Sequence, residues 1–317
     1  MMLRSTASGG PRALAITAGL IVALLAAAVA GSSCTVPPSN PNPGPNDGLA
    51  TAPTVTPTTL GSGASVYAGV RYATTSSWQH LDLYVPAGEG PFPVVVWLHG
   101  GFWTQGSRSQ LDDGFRDALL AAGYAVATVD YRLAALFGVN RWPAGLLDAK
   151  LSVKYLQTHA VQLRLDPSRF TTSGHSAGGH LAVMAAISRD DPGVALSSGD
   201  PTVVGAVAFG APIDIAMEMD DGVANFAISN VLGCSGSCDT SPMEPRRYLD
   251  ADDPAVKLVI SDDDQLVPTE TVDTFVTAAA DVGYGRLSIE LLHGLDHDEL
   301  YRDAPVSTYL PWLGALA

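Results

Sequence analysis

The chain has 317 residues, 47% of them hydrophobic, so it can bury a substantial apolar core in one large domain or two small ones. Its net charge of −15 comes with no lysine- or arginine-rich stripe, which excludes a nucleic-acid partner. Acidic charge of this kind otherwise speaks to solubility rather than to chemistry.

Arg4 and Arg12 precede an uncharged apolar run, residues 13–31, that ends in small residues and reads as an export signal. Its length also suits a single membrane-spanning helix, so an uncleaved anchor is the alternative. Two processing sites compete. "AVA" at 28–30 fits ordinary signal peptidase. "GSSC" at 31–34 resembles a bacterial lipobox in which Cys34 would carry lipid, although Gly31 stands where a larger aliphatic residue is usual. Loss of residues 1–33 removes two arginines and no acid, taking the charge from −15 to −17. Residues 34–65, rich in Pro and Thr, cannot bury enough apolar surface to offset ordering and are expected to be a disordered linker. The working domain is then 66–317, and membrane contact is confined to the N-terminal segment or a lipid on Cys34. No internal repeat is present.

From residue 66 strand-like and helix-like segments alternate. "HLDLYVP" (80–86) alternates as a half-buried strand, and "FPVVVWLHGG" (92–101) is continuously apolar, as in a strand buried on both faces. A helix is predicted over 110–123, a strand over 124–132, a helix over 144–160 and a strand over 169–174. Further along come a helix from about 176 to 188, strands at 203–211 and 255–261, a helix over 269–283, a strand over 286–292 and a last helix from Asp298. Strands separated by helices of this length predict one α/β domain, a mostly parallel sheet with helices on both faces. Ligands on such sheets sit beyond the carboxyl ends of the strands.

Those ends carry the chemistry. "GHSAGG" (174–179) fits the G-x-S-x-G nucleophile elbow, whose glycines let a strand and helix approach closely around an exposed Ser176. "HGGFW" (99–103) resembles the segment that supplies oxyanion donors in esterases, with Phe102 in place of a third glycine. The donors are assigned to the backbone N–H groups of Gly101, Phe102 and Ala177. A carboxylate follows the 255–261 strand: Asp264, in D-x-x-V-P, with Asp262 as its rival. His297 follows the 286–292 strand, with reach to turn back over the sheet, whereas His293 abuts the strand and reads as structural. His99 is placed to orient the oxyanion loop, and His175, His180, His80 and His159 have supporting or surface roles. Serine, carboxylate and histidine in that order are the parts of a hydrolytic triad.

These residues resemble the α/β-hydrolase superfamily, in particular the small bacterial esterases related to hormone-sensitive lipase and kynurenine formamidase. "VDYRLA" (129–134), "WPAGLLDAK" (142–150) and "LDPSRF" (165–170) extend the likeness over about 66–317. The resemblance implies the α/β-hydrolase fold and hydrolysis of a small-molecule carboxylic ester through an acyl-enzyme, with no cofactor and no metal. An amidase, peptidase or deformylase using the same triad is the enzymatic alternative. A non-catalytic binding module at the cell surface is the other. In an oxidising compartment Cys234 and Cys238 would close a small disulfide loop. Segments 133–145 and 212–254 are candidate pocket walls, the second either a lid or an ordinary crossover helix with a surface loop. Met217, Met219 and Phe226 either line an acyl pocket or pack in the core.

Overall fold

The computed structural model describes residues 48–316 apart from 54, 136–138, 219–221 and 236. All of them belong to one unit, Ser39–Ala317. The apolar run 13–31 and Cys34 lie outside the described residues, and no described helix is long and apolar enough to cross a membrane.

The strands are β1 (Thr58–Thr59), β2 (Ser65–Arg71), β3 (His80–Val85), β4 (Phe92–Leu98), β5 (Ala125–Val129), β6 (Leu165–His175), β7 (Gly205–Phe209), β8 (Ala255–Ser261) and β9 (Leu287–Leu292). They form one sheet in the order β1-β2-β3-β5-β4-β6-β7-β8-β9. The pairs from β1 to β5 along that order are antiparallel, and all pairs from β5 to β9 are parallel. Five longer helices accompany it: α1 (Asp113–Ala121), α2 (Ala144–Thr158), α3 (Ala177–Ile187), α4 (Gly222–Leu232) and α5 (Asp273–Val282). The alternation of segments predicts this mostly parallel sheet with its helices, and the arrangement is the α/β-hydrolase fold that the resemblance implies.

Period-two alternation divides β4 between two cores. Val94, Val96 and Leu98 pack into the larger cluster with residues of α2, α3 and α5. Val95 and Trp97 face the other way, onto Phe115 and Leu119 of α1 and onto Tyr301 and Tyr309 near the C-terminus. Helix α1 begins where the Asp112 carboxylate accepts the Phe115 N–H at 2.9 Å, an N-cap that satisfies one orphan donor. Helix α3 is unlike the others, for every one of its residues is buried. That explains its lack of an apolar stripe: it is covered all round.

Two expectations need correction. The linker expected over 34–65 is ordered in its described part. Leu49 bridges Ala73, Ala50 N–H donates to Tyr72 O at 3.0 Å, and β1 pairs with β2. A sheet edge supplies backbone hydrogen bonds that order a segment with little apolar surface of its own. The helix expected from Asp298 is a single turn, Glu299–Arg302, and a second short helix, Leu310–Gly314, follows Pro305. In the 212–254 crossover, helix α4 is followed by a disulfide between Cys234 and Cys238.

The C-terminal end of α3 is pinned by a buried charge. Lys150 of α2 donates to Ser188 O and Val194 O, each at 2.9 Å, and pairs with Asp200 at 2.7 Å, with both side chains out of contact with solvent. Asp200→Asn leaves that ammonium buried without a counter-charge and is expected to destabilise the fold by about 3–5 kcal/mol. The check is urea unfolding: a midpoint lowered to match, against an unchanged midpoint if the pair contributes nothing.

Candidate active site

Strand β6 runs into α3 through one residue, Ser176, whose backbone sits at φ +54°, ψ −127°. A non-glycine residue in that region costs on the order of 1–3 kcal/mol and persists only where neighbours enforce it. Here they do. A Cβ on Gly174 would lie 2.5 Å from the Gly178 carbonyl and 2.6 Å from Leu98 O, and one on Gly178 would collide with the Leu98 and His99 carbonyls. Strand, turn and helix therefore meet backbone to backbone, and Ser176 N–H donates to Phe209 O at 2.9 Å.

The facing loop after β4 is equally strained. Gly101, Phe102 and Trp103 take φ of +117°, +54° and +58° in succession. The Gly101 carbonyl folds back to accept the N–H groups of Thr104 and Gln105, both at 3.0 Å. Among the described residues no acceptor within the chain engages the N–H groups of Gly101, Phe102 or Ala177. His99 braces the start of the loop: its Nδ1 lies 2.8 Å from Gly100 O, and its ring stacks on Tyr131, whose hydroxyl donates to His99 O at 2.7 Å.

Beyond β8 and β9, the three successive aspartates grip one loop. Asp262 meets His293 Nδ1 at 2.6 Å, Asp263 accepts Gly294 N–H at 2.8 Å, and Asp264 Oδ2 meets His297 Nδ1 at 2.8 Å. The outer pair is largely exposed, while the side chains of His297 and Asp264 are 10% and 1% exposed. Asp264 thus faces His297, and its rival Asp262 faces His293. The Oδ1 of Asp264 accepts Leu266 and Val267 N–H at 2.9 Å each, which fixes the carboxylate plane. Burial alone would raise the Asp264 pKa. The hydrogen bond and charge of His297, with those two amides, outweigh it and hold the carboxyl below its ordinary value.

Two further residues complete this corner: His175, expected in a supporting or surface role, and Gly210, which the sequence did not mark. His175 donates its Nε2–H to the His297 carbonyl at 2.8 Å, tying the elbow to the histidine loop, and burial lowers its pKa to about 3, so it is neutral there. Gly210, at the end of β7, has φ +51°, and a Cβ there would lie 3.1 Å from Asp264 Oδ2 and 3.3 Å from His297 Nδ1. Nothing in "FGAP" separates that glycine from any other turn glycine.

Ser176 and His297 border two spaces. One is an open cleft of about 470 Å³ walled by Gln105, Gln110, His175, Asp298, Tyr301 and Arg302 among others. The second, only about 20 Å³, is mainly apolar, lined by Phe102, Trp103, Ala177, Pro212, Ala224, Ile228 and Val267, with Glu218 at its edge. Of the three side chains expected either here or in the core, Met217 and Phe226 are 37% and 39% exposed, so they do neither, and Met219 lies outside the described residues. The inward face of α4 instead presents Ala224 and Ile228. Among the described residues of segment 133–145, none lines either space. Ala134 of that segment lies behind the Gly101–Trp103 loop, its N–H donating to Trp103 O at 2.9 Å. Among the described residues no group of three or more His, Cys, Asp or Glu side chains is arranged to hold a metal ion.

The arrangement offers a strained, presented hydroxyl, a histidine oriented by a buried carboxylate, and free N–H groups nearby, the parts needed for attack on a carbonyl. Gly210→Ala is expected to push the carboxylate and imidazole apart. Its check is the downfield ¹H resonance of the His297 Nδ1–H, which should shift or broaden in the variant while the fold, by circular dichroism, is kept.

Residues 81–278, more than half the chain, match the family model described as BD-FAE. The chain is 39% identical over 106 residues to the carboxylesterase NlhH of Mycobacterium tuberculosis, covering 33% of this chain and 32% of that protein. It is 33% identical over 132 residues to the esterase LipC of the same organism, covering 41% of this chain and 31% of that protein. It therefore spans about a third of the length of these curated relatives. Among solved structures, a truncated carbohydrate esterase from gut microbiota superposes with a TM-score of 0.69 at 20% identity, over 81% of this chain and 98% of that one. That likeness speaks to the fold, and it is the α/β-hydrolase fold already described. Sequence and architecture agree that the chain belongs to the BD-FAE family of α/β-hydrolases.

Proposed function

We propose that this chain is an exported serine hydrolase that cleaves carboxylic esters of short acyl groups, with Ser176 as nucleophile, His297 as base and Asp264 as its orienting carboxylate. The observation that carries this reading is the buried 2.8 Å pair between Asp264 and His297, whose histidine borders the same spaces as the strained Ser176. With Nδ1–H held by Asp264, His297 keeps its lone pair on Nε2. That nitrogen takes the Ser176 proton as Oγ bonds to the ester carbonyl carbon, and the oxyanion accepts from the N–H groups of Gly101, Phe102 and Ala177. The imidazolium then gives its proton to the leaving alkoxide. Water repeats the steps on the acyl-enzyme and releases the acid.

The two spaces suggest how the substrate divides. A pocket of about 20 Å³ has room for roughly one methyl-sized group, which favours acetyl esters. The open cleft suits the alcohol, and its glutamine, arginine and aspartate side chains favour a polyhydroxylated one. The carbohydrate esterase with the same fold supports this reading. Export is supported by the apolar run 13–31 behind two arginines and by the Cys234–Cys238 disulfide, which suits an oxidising compartment.

Turnover of p-nitrophenyl esters and of an acetylated xylo-oligosaccharide tests the proposal. Acetate should be hydrolysed fastest, with a steep fall beyond butyrate. Ser176→Ala should abolish turnover, and Asp264→Asn should lower kcat by about 10⁴. Ile228→Ala should move the optimum toward butyrate. Folded protein with no Ser176-dependent turnover of any ester would sink the reading in favour of an amidase or a binding module. Mass spectrometry of the mature N-terminus tests export separately, expecting either cleavage after Ala30 or a lipid on Cys34. Recovery of the protein with its N-terminal segment uncleaved in the cytoplasmic fraction, rather than in the membrane or the medium, would overturn it.

A further inference from the structure

His180 lies one turn beyond Ser176 on α3, is fully buried, and borders neither of the spaces at Ser176. Its main-chain N–H donates to Ser176 O at 3.0 Å. Both of its ring nitrogens are engaged. Nε2 lies 2.8 Å from the Met243 carbonyl, which can only accept, so the proton resides on Nε2 and Nδ1 carries the lone pair. Trp103 Nε1–H donates to that lone pair at 3.3 Å, with the indole edge-on to the imidazole at 87°. Burial lowers the His180 pKa to about 4, so the acceptor persists across the neutral range.

Trp103 ends the run of three positive-φ residues that carries the proposed oxyanion donors. A strained loop keeps such a conformation only when its surroundings over-determine it. Around Trp103 those surroundings are the larger core in which it is buried, the His180 bond and the Ala134 N–H on its carbonyl, and of these only the His180 bond is aimed at the indole nitrogen. We propose that His180 and Trp103 are positioning residues: the neutral imidazole, registered on the nucleophile helix, holds the indole and so sets the Phe102 N–H relative to Ser176. Met243 completes the arrangement, since its carbonyl fixes the tautomer that makes His180 an acceptor. Nucleophile, oxyanion loop and the crossover segment after the disulfide are thereby referred to one imidazole. This inference rests on the ester-hydrolase reading above.

The test compares Trp103→Phe, His180→Leu and His180→Asn with the parent full-length chain. Asn and Leu leave similar space, but only Asn keeps an acceptor near the Nδ1 position. The readouts are kcat per titrated active site, KM for p-nitrophenyl acetate, and inhibition by a small alkylboronic acid, whose tetrahedral adduct places an oxygen where the oxyanion would form. Trp103→Phe and His180→Leu should lower kcat by about ten- to a hundredfold. KM should stay within about twofold and boronate affinity should fall in parallel with kcat. His180→Asn should recover most of the loss. Trp142→Phe is the control, because that indole packs on His180 at 5.7 Å without bonding to it and should leave kcat unchanged. Equal losses in the Asn and Leu variants, or lowered melting temperature with kcat per site and boronate affinity intact, would overturn the proposal as a merely structural role. Absence of Ser176-dependent turnover in the parent would instead remove the hydrolase reading, and this inference with it.

Discussion

The close approach of α3 to strands β4 and β6 is the constraint on which the rest of the site depends. It exists because Gly174 and Gly178 place only hydrogen where any Cβ would run into the carbonyls of Gly178, Leu98 and His99. With the helix seated that near, the single residue between strand and helix has nowhere to relax, and Ser176 is held at φ +54°. The strain is local, whereas the energy that sustains it is spread over the buried length of α3 and the cores on either side of β4. Helix α3 has no exposed face, so it cannot shift outward to relieve the turn without opening the largest core.

The other parts of the site are referred back to that helix. His175, just before the turn, holds the carbonyl of His297, while His180, one turn after it, receives the indole of Trp103. Each histidine is neutral by burial, and each has its tautomer fixed by a carbonyl acceptor. Buried neutral imidazoles are well suited to this work, since each offers one donor and one acceptor at set angles without a charge to solvate. The aspartate run makes a separate clasp. Asp262, Asp263 and Asp264 each bind a different point of residues 293–297, so the loop carrying His297 is held at both ends.

Much of the fold was legible because its signals are local. Continuous apolar strands, helices ended by glycine, and glycines flanking Ser176 all act within a few residues. The errors came where order depends on something distant. Residues 48–64 look like a linker, yet they borrow hydrogen bonds from a sheet edge. Met217 and Phe226 look like pocket or core residues, yet the register of the helices in the crossover turns them outward and turns Ala224 and Ile228 inward. A two-residue difference in helix phase decides such a question, and the sequence of 212–232 does not encode the partner surface that sets that phase.

The sequence by itself determined the fold class, the order of strands and helices, the elbow at Ser176 and the candidates at Asp264 and His297. These follow from period, composition and short motifs at strand ends, which need no knowledge of what lies opposite. Only the tertiary structure decided which aspartate meets which histidine, since every aspartate–histidine separation along the chain falls between 29 and 35 residues and none stands out. It alone gave His175, His180 and Gly210 their places, and it alone set the sizes of the two spaces beside Ser176. Each of those depends on a distance between segments tens of residues apart, fixed by how the sheet twists and how closely α3 packs upon it, and no local pattern carries that distance.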